Sequence, residues 1–368
     1  MRYLFIIVLL LIQIILFGAH YILYRGIIDI FIIKNTNILF TLKILLGLLS
    51  VSFLIASLVG SKIYSSFTET FYTGAATWLG LLLYLFVASA IFFSVRFGFG
   101  NIFSITIIHG IGTILLFIGL GAGVYGLYNA RTIQISEITP AIKNLPDAWR
   151  GKTAVWISDI HIGQVYSTSF SKKIAEKIQS LNPNIVFLGG DVFDGTAGNL
   201  KEAVTPLANI KSKYGTYFIS GNHEEFSADD SFINVVKESG ITVLKNESLV
   251  IDGVNIVGVD YRDSENRDTF TTTLKRLIKP ELPTILLKHA PTNLDIASDA
   301  HVAFQISGHT HVAQVFPFMY ITKMVYGIYE YGLHPYNDMS VYTSSGVGTW
   351  GPPLRVGTKS EIVKILFQ

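Results

Sequence analysis

Thr153-Ala154-Val155-Trp156-Ile157-Ser158-Asp159-Ile160-His161 is the stretch on which the reading of this chain turns. Its first five residues, apolar, β-branched and aromatic, form a buried-strand candidate, and the run then ends in Asp-x-His, donors with no place in a core. The arrangement recurs downstream. Residues 184–188 lead into Gly190-Asp191, and 216–219 into Gly221-Asn222-His223-Glu224. Residues 284–287 lead into His289, and 303–306 into Gly308-His309-Thr310-His311. Helical spacing occupies 170–181, 200–210, 231–239 and 271–278. Residues 241–244 and 249–259 read as further strands, the latter folded at an Asp252-Gly253 turn. Such alternation predicts an α/β core whose strand-end loops carry function, and it predicts that the polar motifs meet at one edge.

The donor types point to metal chemistry. Asp159 and His161 flank one residue in a chain leaving a strand, so both side chains can turn the same way. Asp191 follows two glycines that permit a tight turn, and a carboxylate can bridge two cations. Asn222 offers a neutral oxygen, and the histidines offer neutral nitrogens. Two divalent ions about 3.5–4 Å apart hold the attacking and leaving oxygens of a phosphoryl group and acidify a water. Each motif alone is weak, because loops favour Gly, Asp and Asn anyway. With only 9 histidines in 368 residues, the ordered set after successive strands is specific.

The residues before about 130 are of another kind. Half of the whole chain is apolar and only 15% is charged, and the apolar excess is concentrated here. Segments 3–23, 38–59, 76–95 and 105–125 approach the ~20 apolar residues that cross a bilayer. The first lacks a small-residue cleavage site and is followed by three more, so it reads as a retained span rather than a signal peptide. Recurrent glycines in the fourth (Gly110, Gly112, Gly119, Gly121, Gly123) suit close helix approach. Four spans put the start of the first and the downstream domain on one side. Arg2, Lys62 and Arg131 balance Arg25, Lys34 and Arg96, so the positive-inside rule selects neither face. Lys43 reads as snorkelling, Gln13 and His109 as packing residues, and no acidic relay supports a transporter. The expected organisation is a multi-pass membrane domain over 1–127, a link over 128–150 broken by Pro140 and Pro146, and an α/β domain over 151–368. The absence of cysteine excludes disulfides and thiolate ligands, and a net charge of +2 without clusters gives no footprint for nucleic acid.

On these motifs (Asp159-x-His161, Gly190-Asp191, Gly221-Asn222-His223-Glu224, His289, Gly308-His309-x-His311) the chain from Gly151 onward resembles the calcineurin-like metallophosphoesterase family. The resemblance implies a four-layer α/β/β/α sandwich with two divalent ions at the sheet edges, and the mixed nitrogen and oxygen donors accommodate Mn, Fe, Zn or Co. It implies Asp159, His161 and His311 on one ion, Asn222, His289 and His309 on the other, and Asp191 bridging. His223 takes the position of the residue that contacts phosphate and protonates the leaving oxygen, and Glu224 the acidic position that orients it; Asp194 matches a further acidic position of open role. The ending Ser344-Ser345-Gly346-Val347-Gly348-Thr349-Trp350-Gly351-Pro352-Pro353 is similar to a membrane-linked branch, some of whose members are associated with UDP-2,3-diacylglucosamine pyrophosphate cleavage.

The expected function is therefore hydrolysis of a phosphodiester or pyrophosphate in a lipid-linked substrate, with the bilayer itself as partner. The aromatic-rich residues 316–336 suit an interfacial surface, with core packing as the competing reading. A nuclease is disfavoured by the missing basic patch, and a protein phosphatase by the lack of any docking signal. A receptor or scaffold with a metal-binding but inactive domain is the alternative from another class, and the intact donor set weighs against it.

Overall fold

The computed structural model describes residues 2–196, 198–226 and 230–368. It divides into two compact units, Met1–Tyr128 with Gly351–Leu354, and Asn129–Trp350 with Arg355–Gln368.

The first unit consists of α1 (Arg2–Ile30), α2 (Thr36–Gly60), α3 (Ser66–Phe99) and α4 (Ile105–Ala130). All four are long and apolar enough to cross a membrane. The third starts ten residues earlier than hydropathy alone indicates. Ser65 and Thr68 form a reciprocal capping box there, which starts the helix within a polar stretch. Leu23, Leu46, Leu82, Phe92 and Ile108 pack inside the unit, while outward Ile, Leu and Phe side chains stay exposed, as a lipid environment requires. Glycine allows close approach at Gly119, where an added Cβ would lie 2.8 Å from the Tyr84 carbonyl oxygen, but Gly110 and Gly121 face open space. Interior polar groups are paired. Gln13 donates to the Ser50 carbonyl at 2.9 Å, and His20 accepts from the Trp78 indole N–H at 2.9 Å.

The second unit contains β1 (Ile133–Ile138), β2 (Thr153–Ile157), α5 (Thr168–Ser180), β3 (Ile185–Leu188), α6 (Leu200–Ala208), β4 (Thr216–Phe218), α7 (Ser231–Glu238), β5 (Thr242–Val243), β6 (Glu247–Ile251), β7 (Val254–Gly258), α8 (Tyr261–Glu265), α9 (Arg267–Leu277), β8 (Thr284–Leu287), α10 (Leu294–Asp299), β9 (Phe304–Ser307), α11 (Met319–Tyr326), β10 (Gly332–Tyr336), β11 (Met339–Thr343) and β12 (Ser360–Leu366). They form two six-stranded sheets, ordered β1-β12-β2-β3-β4-β5 and β10-β11-β9-β8-β7-β6. Trp149, Trp156, Phe187, Ile256, Phe304 and Ile306 fill the space between the sheets. Ile174, Ile178, Val204, Leu207 and Val236 seal α5, α6 and α7 onto the first sheet, and Phe270, Leu274 and Ala297 seal α9 and α10 onto the second. This is the α/β/β/α arrangement. Strands β2, β3 and β4 are mutually parallel, as are β8 and β9, so their C-terminal ends open at common edges.

Residues 128–150 are more than a link. Ile133–Ile138 pairs in parallel with β12, and Trp149 enters the inter-sheet core with its indole N–H donating to the Ile251 carbonyl at 2.8 Å. Pro140 and Pro146 do interrupt the chain, but the partner of β1 lies more than two hundred residues away, beyond any local pattern.

Candidate metal centre

Every polar motif lies just beyond a parallel strand: Asp159 and His161 after β2, Asp191 after β3, Asn222 to Glu224 after β4, His289 after β8, His309 and His311 after β9. The loops turn inward by left-handed backbone rather than by strand alternation. Asp159, His161, Asp191, His309 and His311 have φ of 56°, 54°, 50°, 71° and 48°, a conformation non-glycine residues avoid and functional sites retain. The β3 and β4 loops touch through glycine, since a Cβ on Gly221 would fall 2.2 Å from Asp191 Oδ1.

Three overlapping donor groups result: Asp159, His161 and His311; His161, Asp191 and His223; Asp191, His289 and His309, each with ligand atoms within 4.8 Å of one another. Asp191 and His161 each belong to two of them. His289 Nε2 lies 3.3 Å from Asp191 Oδ2 and 3.9 Å from Asp159 Oδ1. His311 Nε2 lies 3.4 Å from Asp159 Oδ1, and the Nε2 atoms of His161 and His311 face each other at 3.0 Å. Asn222 Oδ1 is buried without a hydrogen-bond partner among the described residues, an orphan acceptor that a cation would satisfy.

Outer contacts set the donors' protonation. His289 Nδ1 donates to the Gly189 carbonyl at 2.7 Å, which turns Nε2 to the cluster. Burial holds His161 well below its ordinary range, and burial with the neighbouring His289 holds His309 at about 4, so both offer lone pairs at neutral pH. His311 is lowered by burial and by the Arg355 charge. Burial would lower His289 too, but the Asp191 and Asp159 carboxylates raise it to about 10. Burial would raise Asp191, yet the surrounding histidines keep its carboxyl below the usual range. Neutral imidazoles, two carboxylates and an amide oxygen in one buried site suit a borderline divalent cation.

His223 and Glu224 separate in role. His223 sits with Nε2 4.0 Å from Asp191 Oδ2 and Nδ1 2.9 Å from the Asp194 carbonyl oxygen, so the backbone at Asp194 orients the ring. The expectation that Glu224 orients His223 is corrected. The buried Glu224 carboxylate accepts N–H groups of Asp191 (2.8 Å), Phe193 (3.1 Å) and Gly221 (2.8 Å), bracing the β3 loop against the β4 loop. Burial and the Asp191 charge push it up to about 7.

Several neighbours escaped the motif reading. Buried Arg355 donates to the carbonyls of Ser345 and Gly348 at 2.7 and 2.6 Å and lies 3.3 Å from His311 Nδ1. Tyr261 lies against His289 and His309, with ring centres 5.9 and 5.7 Å away. Tyr326, in α11, is 6.4 Å from the His309 ring. Tyr326 falls in the aromatic-rich stretch 316–336, whereas nothing in the local sequence marks Arg355 or Tyr261 as a site residue.

Residues 153–313 match the family model described as Calcineurin-like phosphoesterase. An "Uncharacterized metallophosphoesterase" of Helicobacter pylori (strain ATCC 700392 / 26695) is 32% identical over 213 residues, 56% of this chain and 57% of that protein. A "Transmembrane protein with metallophosphoesterase domain" of Danio rerio is 29% identical over 269 residues, 67% of this chain and 60% of that protein. The chain spans about three fifths of the length of these curated relatives. Among solved structures, "GAP50 the anchor in the inner membrane complex of Plasmodium" aligns at 12% identity over 58% of this chain and 79% of that one, with a TM-score of 0.35.

Proposed function

We propose that the chain, whose residues 153–313 match the calcineurin-like phosphoesterase family model, is a membrane-bound, metal-dependent enzyme that cleaves a phosphodiester or pyrophosphate bond in a lipid-linked substrate. Asp159, His161 and His311 would hold one divalent ion and Asn222, His289 and His309 a second, with Asp191 available to both groups. Ions held there would supply positive charge to the phosphoryl oxygens and acidify a water. The protein's own groups do the rest. His223, with Nδ1 engaged by the Asp194 carbonyl, presents Nε2 to the site and delivers a proton to the departing oxygen. Glu224 keeps the Asp191 loop in register.

The lipid part of the proposal is carried by α11. No residue of this helix is buried. Tyr320, Ile321, Met324 and Val325 are 57% exposed or more, while Tyr326 reaches the His309 ring. Farther along, Tyr329 and Tyr336 pack on the core beneath α9 and α10, while Phe316, Phe318 and Ile328 beside the helix are exposed with it. A contiguous apolar surface at the rim of a polar site suits acyl chains. UDP-2,3-diacylglucosamine is one substrate of this chemistry.

The test is Met324→Ser combined with Tyr326→Ser. Turnover of a micellar lipid phosphodiester is expected to fall at least ten times more than turnover of a soluble nitrophenyl phosphodiester, since about 1.4 kcal/mol of lost burial suffices. Equal losses on both substrates remove the lipid-surface role.

A further inference from the structure

We propose that Trp350 is a substrate-binding residue that stacks on the leaving group and selects one bearing a planar ring; this rests on the reading of His223 as the proton donor to the leaving oxygen. Trp350 is 60% exposed, yet its ring centre lies 5.8 Å from that of His223 at an interplanar angle of 69°. Whatever oxygen receives the His223 proton belongs to the departing group, so that group emerges beside the indole.

The backbone under this exposed ring is held from several directions. The Trp350 N–H donates to Gln314 Oε1 at 3.0 Å, and its carbonyl accepts from Gln314 Nε2 at 3.3 Å. Gln314 is buried and ends a run of residues with positive φ, His311, Val312, Ala313 and Gln314 at 48°, 51°, 52° and 64°. Such a run is disfavoured for L-residues and persists only where its surroundings fix it. It ties a metal-site histidine to the support of Trp350. From the other side, Arg355 gathers the carbonyls of Ser345, Gly346 and Gly348. The N–H groups of Val347 and Gly348 donate to the Ser158 and Asp159 carbonyls at 3.0 and 2.8 Å. The loop that precedes Trp350 is thus fastened to the loop that carries Asp159.

A large aromatic side chain left in solvent on a fixed backbone loses little freedom when a ligand covers it. Its flat face matches a planar ring far better than an extended chain. This divides the substrate chemically: apolar chains beside α11 and Tyr326, and a ring on the departing side beside His223.

The experiment uses the full chain in detergent, loaded with Mn²⁺, as wild type, Trp350→Ala and Trp350→Phe. Two phosphodiesters are compared, with phenyl and fluoroalkyl leaving groups of matched acidity. Trp350→Ala is expected to lower the phenyl-over-fluoroalkyl preference in kcat/KM by about 3–10-fold, mainly through KM, and Trp350→Phe to restore most of it. Binding of phenylphosphonate and cyclohexylphosphonate by equilibrium dialysis separates flatness from apolar bulk, and the Ala variant is expected to lose the preference for the phenyl compound. An unchanged preference in Trp350→Ala, by rate or by dialysis, overturns the proposal. Wild-type protein that turns over neither ester yet binds phenylphosphonate through Trp350 overturns the hydrolase reading instead.

Discussion

His223 and Glu224 are neighbours in sequence but are held by different partners, so their replacements should behave differently. His223→Ala removes a ring whose Nε2 faces the donor cluster and whose Nδ1 is fixed by the Asp194 carbonyl. Turnover is expected to fall about 10²–10⁴-fold with metal content retained, the usual scale of general-acid catalysis. Loss of metal on elemental analysis would make His223 a ligand. Glu224→Gln leaves one acceptor oxygen for three N–H donors and turns an amide NH₂ toward one of them. The cost is about 2–4 kcal/mol of stability, seen as a lower melting temperature and looser metal binding, with turnover per bound metal largely kept. Unchanged stability with collapsed turnover would place Glu224 in proton transfer after all. The contrast marks what sequence can show at this scale. The candidate metal donors are legible because polar side chains end apolar runs where nothing else requires them. Glu224 and Arg355 bond mainly to backbone groups, which have no signature in the residues that supply them.

At the scale of elements, the strands and helices that bury one face against a neighbour are the ones pattern recovers: Thr153–Ile157 and Thr284–Leu287 run as expected. The hairpin turn between β6 and β7 also lies where Asp252-Gly253 indicates, Gly253 having φ of 84°. The missed elements depend on remote partners. β1 pairs with β12, and β11 lies between β9 and β10, so their existence follows from topology rather than from their own spacing. The turn over His311–Gln314 is a different kind of omission, because no L-residue preference predicts it. Val312, a β-branched residue at φ 51°, is its most disfavoured position. Left-handed backbone costs an L-residue about 1–2 kcal/mol, and a glycine gives back about 0.4–1 kcal/mol through the freedom of its unfolded chain. Val312→Gly should therefore stabilise the protein by about 0.5–1 kcal/mol in thermal or urea unfolding. A lower melting temperature would mean that the Val312 side chain contributes more packing than its backbone stores in strain.

The whole molecule joins two units with unlike sources of stability, and metal removal should tell them apart. In the helical unit, the apolar helices and their caps carry the structure, and no candidate metal group occurs among its described residues. In the α/β unit, Asp159, Asp191, His161, His223 and His289 are buried together. Without a cation, the Asp159 and Asp191 carboxylates are compensated chiefly by a proton on His289, which they raise to about 10. Binding a divalent ion at Nε2 must displace that proton. Loading apo-protein at pH 7.5 is therefore expected to release about one proton from His289, measured as a buffer-dependent heat in calorimetry. The sign follows from the shift: above pH 10 the proton is already gone and the release vanishes, whereas His309, held at about 4, contributes none at neutral pH. Each ion present at about 100 times its Kd should add about 2.7 kcal/mol to the folded α/β unit. Chelation in detergent should thus lower one thermal transition, that of the α/β unit, and leave the helical signal of the other in place. A chelator that moves neither transition, or loading that releases no proton, would mean these buried donors close on one another rather than on metal.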